Sequence, residues 1–162
     1  MGINISEIDD WQQLRSLRLQ SLRTDPQAFG GTLEQEEMFS DVEWQKVLNT
    51  MVCLAADIDG VDIALMSVEK VKGDFGATCW VGGCWVAPEY RGKGVMRAFM
   101  SYVDQHAGDK GWEVQGLGVW DDNFSAITVY EKLGFVAKGA PQASTRVPGK
   151  FYQRMIRRST IS

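Results

Sequence analysis

Val86-Ala87-Pro88-Glu89-Tyr90-Arg91-Gly92-Lys93-Gly94-Val95-Met96-Arg97 is the stretch on which the reading of this chain turns. A strand-like run ends at Pro88. After the two glycines an apolar stripe begins, with Val95, Phe99, Tyr102, Val103 and His106 at positions i, i+4, i+7, i+8 and i+11. The stretch is therefore a strand-to-helix turn, and a helix is predicted from about Gly92 to Lys110. The first turn of any helix leaves backbone N–H groups without intrahelical acceptors, and glycines let a bulky anion come close to them. Arg91, Lys93 and Arg97 add positive charge where the helix dipole disfavours it, at about 0.3–1 kcal/mol each. Two readings stand: a phosphate-bearing ligand that rewards those charges, or an ordinary turn with a solvated basic edge. The Walker pattern fails, because Val95-Met96 follows Gly94 where Lys-Ser/Thr is needed. The dinucleotide pattern fails too, because position 97 is arginine where a third glycine belongs.

Working upstream, Phe75 to Val86 reads as a long strand whose Gly82-Gly83 pair suggests a bulge or a close backbone approach. Before it, Met51 to Ile58 and Val61 to Val71 form a hairpin around Asp59-Gly60. The chain opens with a short strand, Asn4 to Ser6. A helix from about Asp9 to Leu22 follows, with Trp11, Leu14 and Leu17 in steps of three, and Asp25-Pro26 ends it. Thr32 with Gln35, and Ser40 with Glu43, have the spacing of N-terminal caps and predict two short helical turns. Downstream, Glu113 to Val119 is a strand, and Asn123 caps a short helix that closes at Leu133-Gly134. Phe135-Val136 and Phe151 to Ile156 are the last strands, separated by a turn-rich loop holding Pro141, Pro148 and Gly149. The order predicts a mixed α/β fold: hairpins, then strand-helix-strand-helix-strand-strand.

A length of 162 residues suits one domain over residues 1–162, and 44% hydrophobic with 23% charged residues excludes disorder. No apolar run is long enough for a bilayer, and the amino-terminal segment lacks the basic flank and apolar core of a secretory signal. Its MGINIS fits a loose myristoylation pattern, against which the acidic residues that follow and the strand-like INI both argue. The net charge of −4 disfavours a nonspecific nucleic-acid binder. Three cysteines, Cys53, Cys79 and Cys84, show no paired spacing, so a reducing, cytoplasmic setting is expected. With His106 the only histidine, multi-histidine metal cages are impossible, and no metal is expected.

The quoted stretch resembles the motif Arg/Gln-x-x-Gly-x-Gly/Ala after a V-x-P turn of the GCN5-related N-acetyltransferase (GNAT) family. A second block, Asn123-x-x-Ala126-x-x-x-Tyr130-Glu131-Lys132-Leu133-Gly134-Phe135, is similar to that family's N-x-x-A-x-x-x-Y-x-x-x-G-F. The two blocks come in the family's order, with a helix and a strand between them. The resemblance implies a central twisted mixed sheet of six to seven strands flanked by about four helices. It also implies acetyl-coenzyme A (acetyl-CoA) as donor and a small-molecule or peptide amine as acceptor. Its pyrophosphate would rest on the amides of Gly92, Lys93, Gly94, Val95, Met96 and Arg97, beside Arg91. Its pantetheine would lie along Cys84, Trp85 and Val86, where backbone amides would polarise the thioester. Asn123 would approach the sulfur end, and Tyr130 would protonate the departing thiolate, a transfer from a phenol of pKa near 10 to a thiolate of pKa near 8.5. Met96 departs from the family's Gly or Ala, so its side chain must point away for its amide to serve.

Each of these residues also has a plain structural reading: Tyr130 as a core tyrosine, Asn123 as an N-cap, His106 as a packed or capping histidine, and the cysteines as small hydrophobes. Arg154, Arg157 and Arg158 read as a solvated edge. The base is not visible. A lysine-like amine is free in about one molecule in two thousand at neutral pH, a deficit near 4.6 kcal/mol, against about 1 kcal/mol for an α-amine. Family members that act on protein amino termini often carry a glutamate where this chain has Gly118; Glu34, Glu69, Asp121 and Asp122 remain as candidates. Acceptor walls are expected from Pro26 to Val47 and from Ala137 to Lys150. Two rivals follow, a non-catalytic acyl-CoA-binding module on the same fold and a thioesterase using Cys84 with His106. Homodimerisation through a strand edge after Phe135 is a further expectation.

Overall fold

A computed structural model describes residues 2–160. Among the described residues seven strands are hydrogen-bonded in the order β1-β2-β3-β4-β5-β7-β6, and five segments are α-helical. The chain divides into two compact units. One comprises the chain through Glu69 together with Gly83–Tyr102, the other Lys70–Gly82 and everything from Val103 onward.

In the first unit, β1 (Asn4–Glu7) runs antiparallel to β2 (Val52–Ile58), which pairs in turn with β3 (Val61–Lys70). The β2–β3 turn takes the left-handed conformation the sequence demanded, with Asp59 at φ 53° and Gly60 at φ 83°. The Asp57 carboxylate accepts from Gly60 N at 3.0 Å and closes it. Helix α1 (Trp11–Thr24) starts where Asp10 accepts from the Gln12 amide, and it ends at Asp25, one residue before Pro26. Thr32 caps the single turn α2 (Leu33–Glu36). Ser40 and Glu43 form a reciprocal capping box for α3 (Asp41–Thr50), longer than the short turn expected. Leu14, Leu17, Leu19 and Leu22 of α1 and Trp44 of α3 pack with Cys53, Leu65, Trp85 and Ala87 into one buried cluster. At about 1.5–3 kcal/mol per buried aliphatic side chain, this cluster is what holds the helices down.

In the second unit the first residues of β4 (Cys79–Val86) run parallel to β5 (Val114–Trp120), with Cys79 opposite Gln115 and Trp80 opposite Gly116. Strand β7 (Phe151–Arg158) joins β5 antiparallel, and β6 (Val136–Ala143) joins β7. The Trp80 ring lies where side chains at Gly73 and Gly116 would stand, so both positions must be glycine.

Three expectations need correction. The strand predicted from Phe75 begins at Cys79, because Asp74–Gly76 makes a 3-10 turn with Phe75 at φ 59°. The helix predicted from Gly92 is α4 (Val95–Lys110), since Gly92 and Gly94 are left-handed at φ 75° and 87°. The first half of the loop predicted after Val136 is strand. β6 is exposed along its whole length and terminates the sheet, an edge where Pro141 costs no ladder hydrogen bond, and its register shifts between Lys138 and Gln142 around left-handed Gly139.

Candidate active site

The glycine turn is built between the end of β4 and the start of α4. Pro88–Tyr90 form a 3-10 turn, after which the Arg91 Nε donates back to the Val86 carbonyl at 2.8 Å. Its Nη2 reaches the Asp25 carboxylate at 2.6 Å. The same Asp25 oxygen accepts from Trp85 Nε1 at 3.0 Å and from Thr24 Oγ1 at 2.9 Å. Burial works to raise the Asp25 pKa, but hydrogen bonds from Arg91, Thr24 and Trp85 outweigh it and hold the carboxyl below the usual aspartate value. Asp25 thus ties the end of α1, the β4 indole and the first residue of the glycine turn to one point. On the sequence it was only the residue before a proline; the partners that give it this role are remote along the chain.

Beyond Arg91, a Cβ at Gly92 or Gly94 would meet nothing within 4 Å, so the turn presents bare backbone. Gly94 accepts the first intrahelical bond, from Ala98 N at 3.0 Å, which leaves the amides of Val95, Met96 and Arg97 without acceptors inside the helix. Val95 is buried and pins the turn, Met96 is half-buried, and Lys93 and Arg97 are exposed. A glycine-lined, positively flanked start to a 16-residue helix is suited to hold a pyrophosphate. Cys84 and Val86 are half-buried and Trp85 is buried, its ring in the core and its N–H on Asp25.

Asn123 and Tyr130 belong to the second unit. Helix α5 (Phe124–Lys132) starts where Asn123 Oδ1 accepts from Ala126 N at 3.3 Å and from Ser125 Oγ at 3.2 Å. Tyr130 lies seven residues on, two turns along the same helix face, half-buried with its ring edge-on to Phe135 at 5.8 Å. Gly134 at φ 103° ends the helix as its position in the motif required. A side chain at Gly118 would press on the Tyr152 ring at 3.1 Å, which accounts for the absence of a carboxylate at that point of β5. Among the base candidates, Asp122 is held by Lys150 at 2.9 Å, Glu34 and Asp121 are exposed, and Glu69 is half-buried.

Two of the three cysteines are unsuited to nucleophilic chemistry. Burial pushes the Cys53 thiol up to about 11, and burial with nearby Glu113 pushes Cys79 up to about 12, which removes both as nucleophiles at neutral pH. Cys84 is half-buried. Among the described residues no group of three or more His, Cys, Asp or Glu side chains is placed to hold a metal, and no helix is long and apolar enough to cross a membrane. The solvated-edge reading of the carboxy-terminal arginines also fails for two of them. Arg157 pairs with Asp104 at 2.8 Å, and Arg154 with Asp74 at 2.6 Å, their side chains each only 14% exposed.

A mixed sheet with a glycine-lined helix start after its fourth strand and an asparagine-capped, tyrosine-bearing helix after its fifth defines the acyltransferase class of fold. The chain belongs to the Acetyltransferase (GNAT) family, whose profile matches residues 11–135. No curated protein matches it significantly by sequence. Solved structures resemble it along nearly its whole length. An acetyltransferase of the GNAT family from Streptococcus pneumoniae is 18% identical at a TM-score of 0.75, over 97% of this chain and 99% of that one. Spermidine N-acetyltransferase from Vibrio cholerae, in complex with CoA and spermine, is 16% identical at 0.73, over 98% and 96%. The yncA protein of Salmonella typhimurium, with its cofactor acetyl-CoA, is 18% identical at 0.70, over 100% and 96%.

Proposed function

We propose that residues 1–162 act as one cytoplasmic N-acetyltransferase domain that transfers an acetyl group from acetyl-CoA to a primary amine of a small molecule or peptide. The observation that carries this is the bare glycine turn at the start of α4, in a chain whose family profile spans it. Acetyl-CoA supplies an activated thioester whose sulfur leaves as a thiolate when the acceptor nitrogen attacks the carbonyl carbon. Each protein group then has a defined task. The amides of Gly92 to Arg97 hold the pyrophosphate, with Lys93 and Arg97 contributing charge and Arg91 bracing the turn from Asp25. Cys84, Trp85 and Val86 line the pantetheine, and strand amides near Val86 polarise the carbonyl. Asn123 orders the start of α5, which carries Tyr130, and the Tyr130 hydroxyl gives its proton to the departing sulfur.

Calorimetric titration with acetyl-CoA, against ATP and NAD, tests the donor. Selective micromolar binding is expected, and no binding at millimolar acetyl-CoA ends the reading. Tyr130→Phe is then expected to lower kcat by about a hundredfold with the acetyl-CoA affinity unchanged, while Cys84→Ser leaves turnover near wild type. The reverse pattern would indicate a cysteine-dependent thioesterase. The packing of Tyr152 against Gly118 favours one second reading, a non-catalytic acyl-CoA-binding module, because it leaves that strand without a base. Acetyl-CoA binding without amine-dependent thiol release would identify it.

A further inference from the structure

Arg18, midway along α1, is held from two sides within the first unit. Its Nε and Nη2 donate to the two carboxylate oxygens of Glu36 at 2.8 and 3.0 Å, and its guanidinium lies 4.8 Å from the centroid of the Phe29 ring. The pair is largely withdrawn from solvent, with the side chains 17% and 10% exposed. The Glu36 carboxylate lies against Gly31, where a side chain would displace it. The nitrogen this clamp leaves over is Nη1. It is aimed at Gly83 of β4, 3.7 Å from where a Cβ would stand, with Ser67 Oγ 3.8 Å from the same point. Gly83 is left-handed at φ 57°, so the strand itself bends where the guanidinium approaches. Pairing with the buried Glu36 accounts for the Nε and Nη2 side of the guanidinium; it does not use Nη1.

The proposed donor site gives the position meaning. With the pyrophosphate beyond Val86 and the pantetheine along Cys84 to Val86, the acyl end lies toward Gly83, and Arg18 presents two N–H donors there. We propose that Arg18 is the acceptor-recognition residue of the enzyme, and that the acceptor carries a carboxylate near its amine, as an amino acid or amino-acid-like molecule does. This rests on the acetyl-CoA reading. The Glu36 clamp neutralises the arginine while the site is empty and pre-orients it, so little rotamer freedom is lost when an anion binds Nη1. Nη1 offers only N–H donors, so the second ammonium of a di- or polyamine would find no acceptor on it.

The test compares matched acceptors. After acetyl-CoA binding is measured by calorimetry, initial rates of thiol release are taken for a panel of amino acids, their carboxamides, the corresponding decarboxylated amines, and spermidine. Acceptors with a free carboxylate are expected to exceed their matched amides in kcat/KM by at least about tenfold. Arg18→Lys keeps the charge but loses the planar fork, and it should erase most of that ratio through acceptor KM while the acetyl-CoA affinity holds. The double variant Arg18→Met with Glu36→Gln avoids an orphaned carboxylate, so it should stay folded and show no preference at all. Equal rates for carboxylates and amides, turnover of amines only, or no turnover of any carboxylate-bearing acceptor would overturn the inference while acetyl-CoA binding leaves the donor reading standing. Failure to bind acetyl-CoA would overturn both.

Discussion

Two arginine–carboxylate pairs, one in each unit, show how the same chemistry serves opposite ends. Arg157 on β7 spends four of its five N–H groups within the protein, and every one of its nitrogens has a partner. Its Nε donates to the Leu133 carbonyl, its Nη1 to Asp104 and to Gln115, and its Nη2 to the other Asp104 oxygen, all at 2.8 Å. Ser159 Oγ adds a donor to Asp104 at 2.7 Å. That guanidinium binds β7 to β5, to α4 and to the carboxy-terminal end of α5. Arg18 is gripped as firmly by Glu36, yet one of its nitrogens faces a bare stretch of strand. The difference is that every nitrogen of Arg157 has a partner, whereas the Glu36 pair engages only Nε and Nη2 of Arg18.

The contrast breaks first at Arg157. Arg157→Met leaves the Asp104 carboxylate and the Gln115 amide oxygen without the guanidinium that donates to both, and chemical denaturation should show a loss of about 3 kcal/mol. Next comes acid. The Arg157 hydrogen bond, helped by Ser159 and by the arginine's charge against an opposing burial effect, holds the Asp104 carboxyl below the usual aspartate value. A depressed folded pKa means the stabilisation is fully present above the unfolded value and is lost as pH falls through the folded one. Acid unfolding should therefore steepen below about pH 4, and Asp104→Asn should flatten that limb while lowering stability at neutral pH. A flat profile in the wild type would show that Arg157 does not hold Asp104 ionised. The smallest effect belongs to Lys150–Asp122, an exposed pair with side chains 32% and 64% accessible. Lys150→Ala should change stability by less than about 1 kcal/mol, within what exposed ion pairs contribute, and a larger loss would mean that Lys150 does more than pair with Asp122.

Local signals in the sequence translated directly into structure. Asp59-Gly60, Asn123, Gly134 and the Ser40–Glu43 box each act within four residues of themselves, so their spacing alone specified the turn or cap. The start of α4 is shifted by its own left-handed glycines, but the strand ends that differ from the expectation depend on something farther away. Phe75 turns in a left-handed conformation beneath Arg154, whose guanidinium lies 4.7 Å from its ring centroid. Pro141 sits in a strand because β6 is an edge, and edge position is a property of the sheet order. The proposed site divides in the same way. The glycine turn and the Asn–Tyr helix were legible as motifs, whereas Asp25, Arg18 and Glu36 are invisible without the fold, since each takes its role from partners that only folding brings near. Arg157 was misjudged for the same reason: its acid is on α4 and its carbonyl partner closes α5.

The cysteines have a consequence at the bench. With Cys53 and Cys79 buried and their thiols raised to about 11 and about 12, neither offers a thiolate to a disulfide dye at neutral pH. A continuous colorimetric assay of the proposed thiol release would therefore carry a protein baseline set by Cys84, and replacing that one residue with serine would make the protein optically silent toward the reagent.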